Sequence, residues 1–269
     1  MGEAPSRIVR SADGTPIAGF GTGTGPPLLL VHGTTADHTT FRVVGPWLAE
    51  TLATTAIDRR GRGASGDAAP YSIEREFEDV AAIAEAISAE AGRPVAVFGH
   101  SYGGRCALGA ALLTPAIDRV ICYEGAPTPP GQSYCPAGLE TRLRERLAAG
   151  DPAGMLATFL SEVVGMTAGE LDAYRANPVW PVRVAAAHTI LRELEAEASA
   201  AASLDALSAI RRPVLQLLGS ASRPVFRDAT DALDARLADG RIVEIAGARH
   251  AAHHTHPDDV VAAVRAFLA

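Results

Sequence analysis

The sequence predicts an α/β fold: a mostly parallel, doubly wound central sheet carrying an inserted all-helical cap. Three observations predict it. Strand-like and helix-like segments alternate through most of the chain, the pattern of a sheet covered on both faces. One short apolar run stops at a tight glycine turn around Ser101 and passes directly into a helix. Strand signals then vanish between residue 127 and about residue 209, and resume afterwards.

The elements follow in order. Residues 7–10 and 17–20, joined by Ala12-Asp13-Gly14-Thr15, read as an opening hairpin. Residues 28–32 and 54–58 are short apolar runs of strand length. Residues 73–91 read as a helix, because Ile73, Phe77, Val80, Ile83 and Ile87 recur at helical spacing. Pro94-Val95-Ala96-Val97-Phe98 is a buried strand, the helix after it begins near Tyr102, and residues 119–123 form the next strand. In the middle block, residues 139–149, 152–164 and 182–202 read as helices, interrupted by Asn177-Pro178 and Trp180-Pro181. Residues 213–218 and 241–245 return as strands, with helices over 224–238 and 257–268.

The expected organisation is therefore a core of residues 1–126 and 210–269, with a helical cap of residues 127–209. Loops at the carboxyl ends of strands frame the ligand crevice of an open α/β sheet, so such an insertion would roof that crevice. The alternative is a long excursion packed elsewhere.

Composition narrows the chemistry. The 269 residues are 48% hydrophobic, enough for a substantial core. A net charge of −7 disfavours nucleic acid or an anionic membrane as partner. All 24 basic residues are arginine. Without lysine there is no Schiff-base chemistry and no phosphate-binding P-loop. Cys106, Cys122 and Cys135 are too few and too widely spaced for a disulfide framework or a C-x-x-C site. Residues 1–10 contain no apolar leader and no stretch reaches transmembrane length, so a cytoplasmic location is expected. Asp58-Arg59-Arg60-Gly61-Arg62-Gly63 has the wrong glycine spacing for a nucleotide loop, and Gly21-Thr22-Gly23-Thr24-Gly25 opens no helix. No cofactor is expected. The arginines are expected to satisfy local carbonyls and carboxylates.

Phe98-Gly99-His100-Ser101-Tyr102-Gly103-Gly104 carries the strongest chemical signal. It is a G-x-S-x-G nucleophile elbow, with a strand before it and a helix after it. Glycines on both sides remove β-carbons that would collide in so sharp a turn. The helix also points its positive end at the serine.

Together with Gly25-Pro26-Pro27-Leu28-Leu29-Leu30-Val31-His32-Gly33, Asp58-Arg59-Arg60-Gly61-Arg62-Gly63-Ala64-Ser65 and Gly247-Ala248-Arg249-His250, the elbow makes the chain resemble the α/β-hydrolase fold family over nearly its whole length. The family groups esterases, lipases, lactonases, thioesterases, C–C hydrolases and cofactor-free haloperoxidases. Dehalogenases and epoxide hydrolases of this fold carry an aspartate where Ser101 stands. The resemblance implies His250, after the last strand, as the base for Ser101. His253, His254 and His256 follow closely, but no cysteine or carboxylate joins them in a ligand register, and no metal is expected. His253 and His254 are expected to line or flank the site, His100 to pack beneath the turn, and His32 to orient backbone. The family's oxyanion donors would be the backbone N–H groups of Thr34 and Tyr102.

The third member departs from the pattern. Most relatives place an aspartate after the strand at 213–218, where this chain reads Gly219-Ser220-Ala221-Ser222-Arg223-Pro224. Asp228 and Asp231 fall later, in a helix, as surface charges. Glu124 terminates the preceding strand and could hold the imidazole instead. The alternatives are Glu124 paired with Arg59 or Arg62, and a Ser101–His250 dyad helped by Ser222 or water.

Three functional readings follow: a serine hydrolase of small esters, thioesters or lactones; an enzyme of the same fold that cyclises, dehydrates or cleaves C–C bonds; and a non-catalytic ligand receptor. Tyr134, Met155, Phe159, Met166 and Trp180 suggest an apolar, aromatic-accepting pocket, with Trp180 the substrate-binding candidate, though each also suits cap core. The expected partner is an apolar or aromatic small molecule, with a homodimer left open.

Overall fold

The computed structural model describes residues 4–269. Residues 1–3, part of the segment read above as lacking a leader, lie outside the described residues. The sheet has eight strands: β1 (Arg7–Arg10), β2 (Pro16–Thr22), β3 (Pro27–Val31), β4 (Ala53–Ile57), β5 (Val95–His100), β6 (Ile117–Tyr123), β7 (Val214–Gly219) and β8 (Gly240–Ile245). Their spatial order is β1-β2-β4-β3-β5-β6-β7-β8. The β1–β2 hairpin joins β4 antiparallel, and every other pairing is parallel.

The central strands β3, β5 and β7 are buried throughout because both faces of the sheet are covered there, whereas the edge strand β8 is largely exposed. Leu29, Val31, Val95 and Val97 point into one core with the helices α2 (Ile73–Ala91) and α3 (Tyr102–Leu113). Leu28, Leu30, Ala96 and Phe98 point into the other, against α1 (Val44–Leu48) and, at the end of the chain, the helix of residues Pro257–Leu268. Ser72 caps α2 by accepting from the Arg75 N–H, and Gly92 ends it in the left-handed region at φ 65°. From β3 the chain steps outward to β4 and then returns to the other side for β5. The strand order therefore reverses between β3 and β5, where such sheets open a ligand crevice at their carboxyl ends.

Between β6 and β7 the described elements are all helical: α4 (Leu139–Ala148), α5 (Pro152–Phe159), α6 (Ala168–Arg175), α7 (Trp180–Ala185), α8 (Ile190–Ala196) and α9 (Leu204–Leu207). After β7 come α10 (Pro224–Asp234), α11 (Ala252–Thr255) and α12 (Pro257–Leu268). Three helix expectations are corrected. Residues 182–202 are not one helix: Thr189 Oγ1 bonds the Ala186 carbonyl at 2.7 Å, and Ser199 and Ser203 cap new turns at Ala201 and Ala206, so side chains compete with the helix for backbone groups. Residues 160–164 continue α5 as a π-helical turn. The expected 224–238 helix stops at Asp234. The unanticipated α6 carries a Thr167–Glu170 capping box, a signal that was present in the sequence. No helix among the described residues is long and apolar enough to cross a membrane.

Candidate active site

β5 ends at His100 and α3 begins at Tyr102, so Ser101 alone makes the turn. Its backbone sits at φ 55°, ψ −127°, a conformation that costs strain for any residue with a β-carbon. Neighbouring contacts enforce it. The Ser101 N–H donates to the Tyr123 carbonyl at 2.7 Å, and its own carbonyl accepts from Gly104 at 2.8 Å. A Cβ on Gly99 would collide with the Gly103 carbonyl, and one on Gly103 with the carbonyls of Val31 and His32. The loop after β3 comes equally close, since a Cβ on Gly33 would stand 3.0 Å from that of Ser101.

Glu124 follows β6 directly, at a positive φ of 48°. Its Oε2 accepts from His250 Nδ1 at 2.6 Å. Its Oε1 accepts from the Gly219 N–H at 2.8 Å and Ser222 Oγ at 2.6 Å. The turn after β7, which has no acid of its own, thus grips one supplied by the neighbouring strand. The alternative arginine partners are engaged elsewhere: Arg59 bonds Glu76 and Glu193, and Arg62 bonds Glu193. Ser222 meets Glu124 rather than His250.

With Nδ1–H directed at Glu124, His250 keeps Nε2 as its basic nitrogen. Its position is held from three sides. His100 Nε2 donates to the His250 carbonyl at 2.7 Å. Tyr123 Oη donates to the Arg249 carbonyl and accepts from the Ala252 N–H at 3.0 Å. Phe226 stacks on the imidazole at 4.5 Å. Burial, then the neighbouring His250, holds His100 well below the usual histidine pKa, so it stays neutral.

The other histidines lie behind this layer. His253 is buried against His100, its ring centroid 4.3 Å away, and the His254 ring lies tilted against it at 4.2 Å. Burial drives His253 far down and His254 to about 4. Both flank the site rather than line its cavity. His32 Nδ1 bonds the Gly33 carbonyl at 2.8 Å and Nε2 accepts from the Arg59 N–H at 3.0 Å, so it orders backbone. Among the described residues no group of three His, Cys, Asp or Glu side chains is arranged to hold a metal ion.

Ser101, His250, Glu124, Thr34 and Tyr102 all line one small cavity of about 30 Å³. Its further walls include Tyr134 and Phe159, as the sequence suggests, and also Val163, Phe226, Arg105, Glu193 and Glu197, to which no sequence signal points. Trp180, the substrate-binding candidate, is not among the residues that line this cavity. Its ring packs edge-on against Tyr174 at 5.9 Å and under Arg175, outside the cavity wall. Met155 is wholly buried. The wall is also less apolar than expected, because α8 and its end bring Glu193 and Glu197 to it. Burial would raise the pKa of Glu193, but Arg59, Arg62 and the Thr34 hydroxyl hold its carboxyl below the usual value.

The strained serine at the strand–helix turn, the buried acid–imidazole pair and the reversed strand order define a class. Residues 28–264 match the profile of the Alpha/beta hydrolase family, and the chain belongs to that family. The chain is 27% identical over 253 residues to the pimeloyl-[acyl-carrier protein] methyl ester esterase of Stenotrophomonas maltophilia, covering 92% of this chain and 95% of that protein. An alpha/beta hydrolase from Sphaerobacter thermophilus superposes with a TM-score of 0.83 at 31% identity, over 98% of this chain and all of that one. A probable oxidoreductase, EphD, from Mycobacterium tuberculosis is 36% identical over 103 residues, but the match covers only 17% of that protein's length.

Proposed function

We propose that this chain hydrolyses a small-molecule ester, thioester or lactone through an acyl-enzyme on Ser101, with residues 127–209 as a cap over the site. The observation that carries the proposal is the 2.6 Å bond from His250 Nδ1 to Glu124 in the cavity that also holds the strained Ser101. The esterase relative supports the ester class.

A neutral serine hydroxyl is a poor nucleophile near neutral pH. His250 Nε2 takes its proton as Oγ bonds the substrate carbonyl carbon, and the carbonyl π electrons move onto oxygen. Glu124 stabilises the imidazolium formed, without itself accepting the proton. The Tyr102 and Thr34 backbone N–H groups receive the oxyanion. Collapse restores the carbonyl and expels the alcohol or thiol, which leaves with the proton from His250. Water then repeats the sequence on the acyl-enzyme and frees Ser101. The arrangement calls for no cofactor.

Turnover of p-nitrophenyl acetate and labelling by a fluorophosphonate are the expected results. Ser101→Ala should abolish labelling and lower kcat by about 10⁴-fold while the protein stays folded. A folded Ser101→Ala protein that retains turnover would remove the acyl-enzyme route.

A further inference from the structure

The catalytic cavity, about 30 Å³, has room for little more than a water molecule, so most of an ester must lie elsewhere. A second pocket of about 240 Å³ adjoins it, and the two share Arg105, Tyr134 and Glu197 as a common wall. This pocket runs outward between the segment after β6 and the segment joining α8 to α9, past Thr128 and Ser203. Its rim carries Asp205, almost fully exposed, within 3.8 Å of Arg236.

The shared wall is chemically asymmetric. Arg105 is occupied, with Nε on the Gly125 carbonyl and Nη2 on the Ala126 carbonyl, both at 2.8 Å. Tyr134 is occupied too, donating to the Ala126 carbonyl at 2.6 Å. The Glu197 side chain makes no hydrogen bond or ion pair among the described residues, although it faces both cavities. Glu197 is half-buried, and a carboxylate partly withdrawn from water without a partner is costly. Burial accordingly raises its pKa, against the opposing pull of Arg105. A donor supplied by a ligand would relieve that cost.

Resting on the serine-hydrolase reading, we propose that the 240 Å³ pocket is the second half of the substrate site, and that Glu197 selects an ester whose extended arm carries a hydroxyl or ammonium group. The reacting carbonyl then sits at Ser101, and the arm passes Glu197 toward the Asp205–Arg236 rim. A carboxylate-tipped arm is disfavoured, because it would bring like charge to Glu197.

The test compares p-nitrophenyl esters of acetic, hexanoic, 6-hydroxyhexanoic, 6-aminohexanoic and adipic acids, the last as its half ester. The amino and hydroxy arms should exceed hexanoate in kcat/KM, and the adipate half ester should fall below it. Glu197→Gln keeps the shape and should reduce the amino-to-hexanoate ratio by about ten-fold. Ser203→Trp, which fills the pocket, should raise KM for hexanoate relative to acetate. Calorimetric binding of hexylamine, hexanol and hexanoate gives the same ranking without turnover. Acetate turnover with no arm preference and no ranked binding would overturn the second half-site while leaving the serine chemistry. Ranked binding without any turnover would do the reverse. Preference for the carboxylate arm would assign recognition to Arg105 and overturn the role of Glu197.

Discussion

In the proposed mechanism Glu124, at the end of β6, supplies the acid that the turn after β7 lacks. A carboxylate must reach His250 Nδ1, and here it arrives from the end of β6 with its second oxygen tied to Gly219 and Ser222. Glu124→Gln keeps the volume and removes the charge that stabilises the imidazolium. It should lower kcat about 10²- to 10⁴-fold with a far smaller change in KM, since the interaction strengthens chiefly in the transition state. Asp228→Asn, on the exposed face of α10, should stay within a few-fold of the wild type; a larger loss there than at Glu124 would reassign the acid. The elbow around Ser101 could be read from the sequence because its constraints are local: glycines on both sides, a strand before and a helix after. Glu124 was half legible, as an acid at a strand end, but its partners are 95 to 126 residues distant. Glu193 and Glu197 were not legible. Two acids one helical turn apart usually mark a solvated face, and only the tertiary fold turns them onto a cavity.

At the level of elements, α8 is fastened to the core by charge as well as by packing. Glu193 meets Arg59 at 2.6 Å and also bonds Arg62, all three buried, and Arg59 lies over the Tyr102 ring at 4.7 Å. Removing one partner from such a cluster leaves uncompensated buried charge. Glu193→Ala should therefore cost roughly 3 kcal/mol in urea unfolding. A change below about 0.5 kcal/mol, the range of ordinary surface substitutions, would mean that α8 is not held this way. The strands were legible to within two residues because each is a short run rich in apolar or β-branched residues between turn signals, most plainly in the fully buried β3 and β5. The helices between β6 and β7 were less so: an alanine-rich stretch reads as one helix until Thr189, Ser199 and Ser203 are seen bonding the backbone.

Across the whole molecule, four histidines wholly or partly withdrawn from water link stability to pH. His32, His100 and His253 are held well below the usual value by burial, and His254 falls to about 4. Above about pH 6.5 they are neutral in folded and unfolded chains alike, so they leave stability unchanged. As pH falls below that, the unfolded chain takes up protons first and stability is lost, by up to about 1.4 kcal/mol per pH unit for each histidine. Asp79, raised to about 6, and Glu197, also raised by burial, act in the opposite direction but are fewer. The urea midpoint should therefore drop between pH 7 and pH 5; a flat or rising midpoint would show that these imidazoles titrate normally. The central claim, an acyl group carried on Ser101, is tested most directly by mixing the enzyme with p-nitrophenyl acetate, quenching in acid within the first turnover and mapping its peptides by mass spectrometry. One acetyl group on the Ser101 peptide, absent from Ser101→Ala and accumulating in Glu124→Gln if loss of the acid slows deacylation more than acylation, is the predicted result. Steady turnover with Ser101 unmodified at every quench time, and with Ser101→Ala equally active, would contradict it.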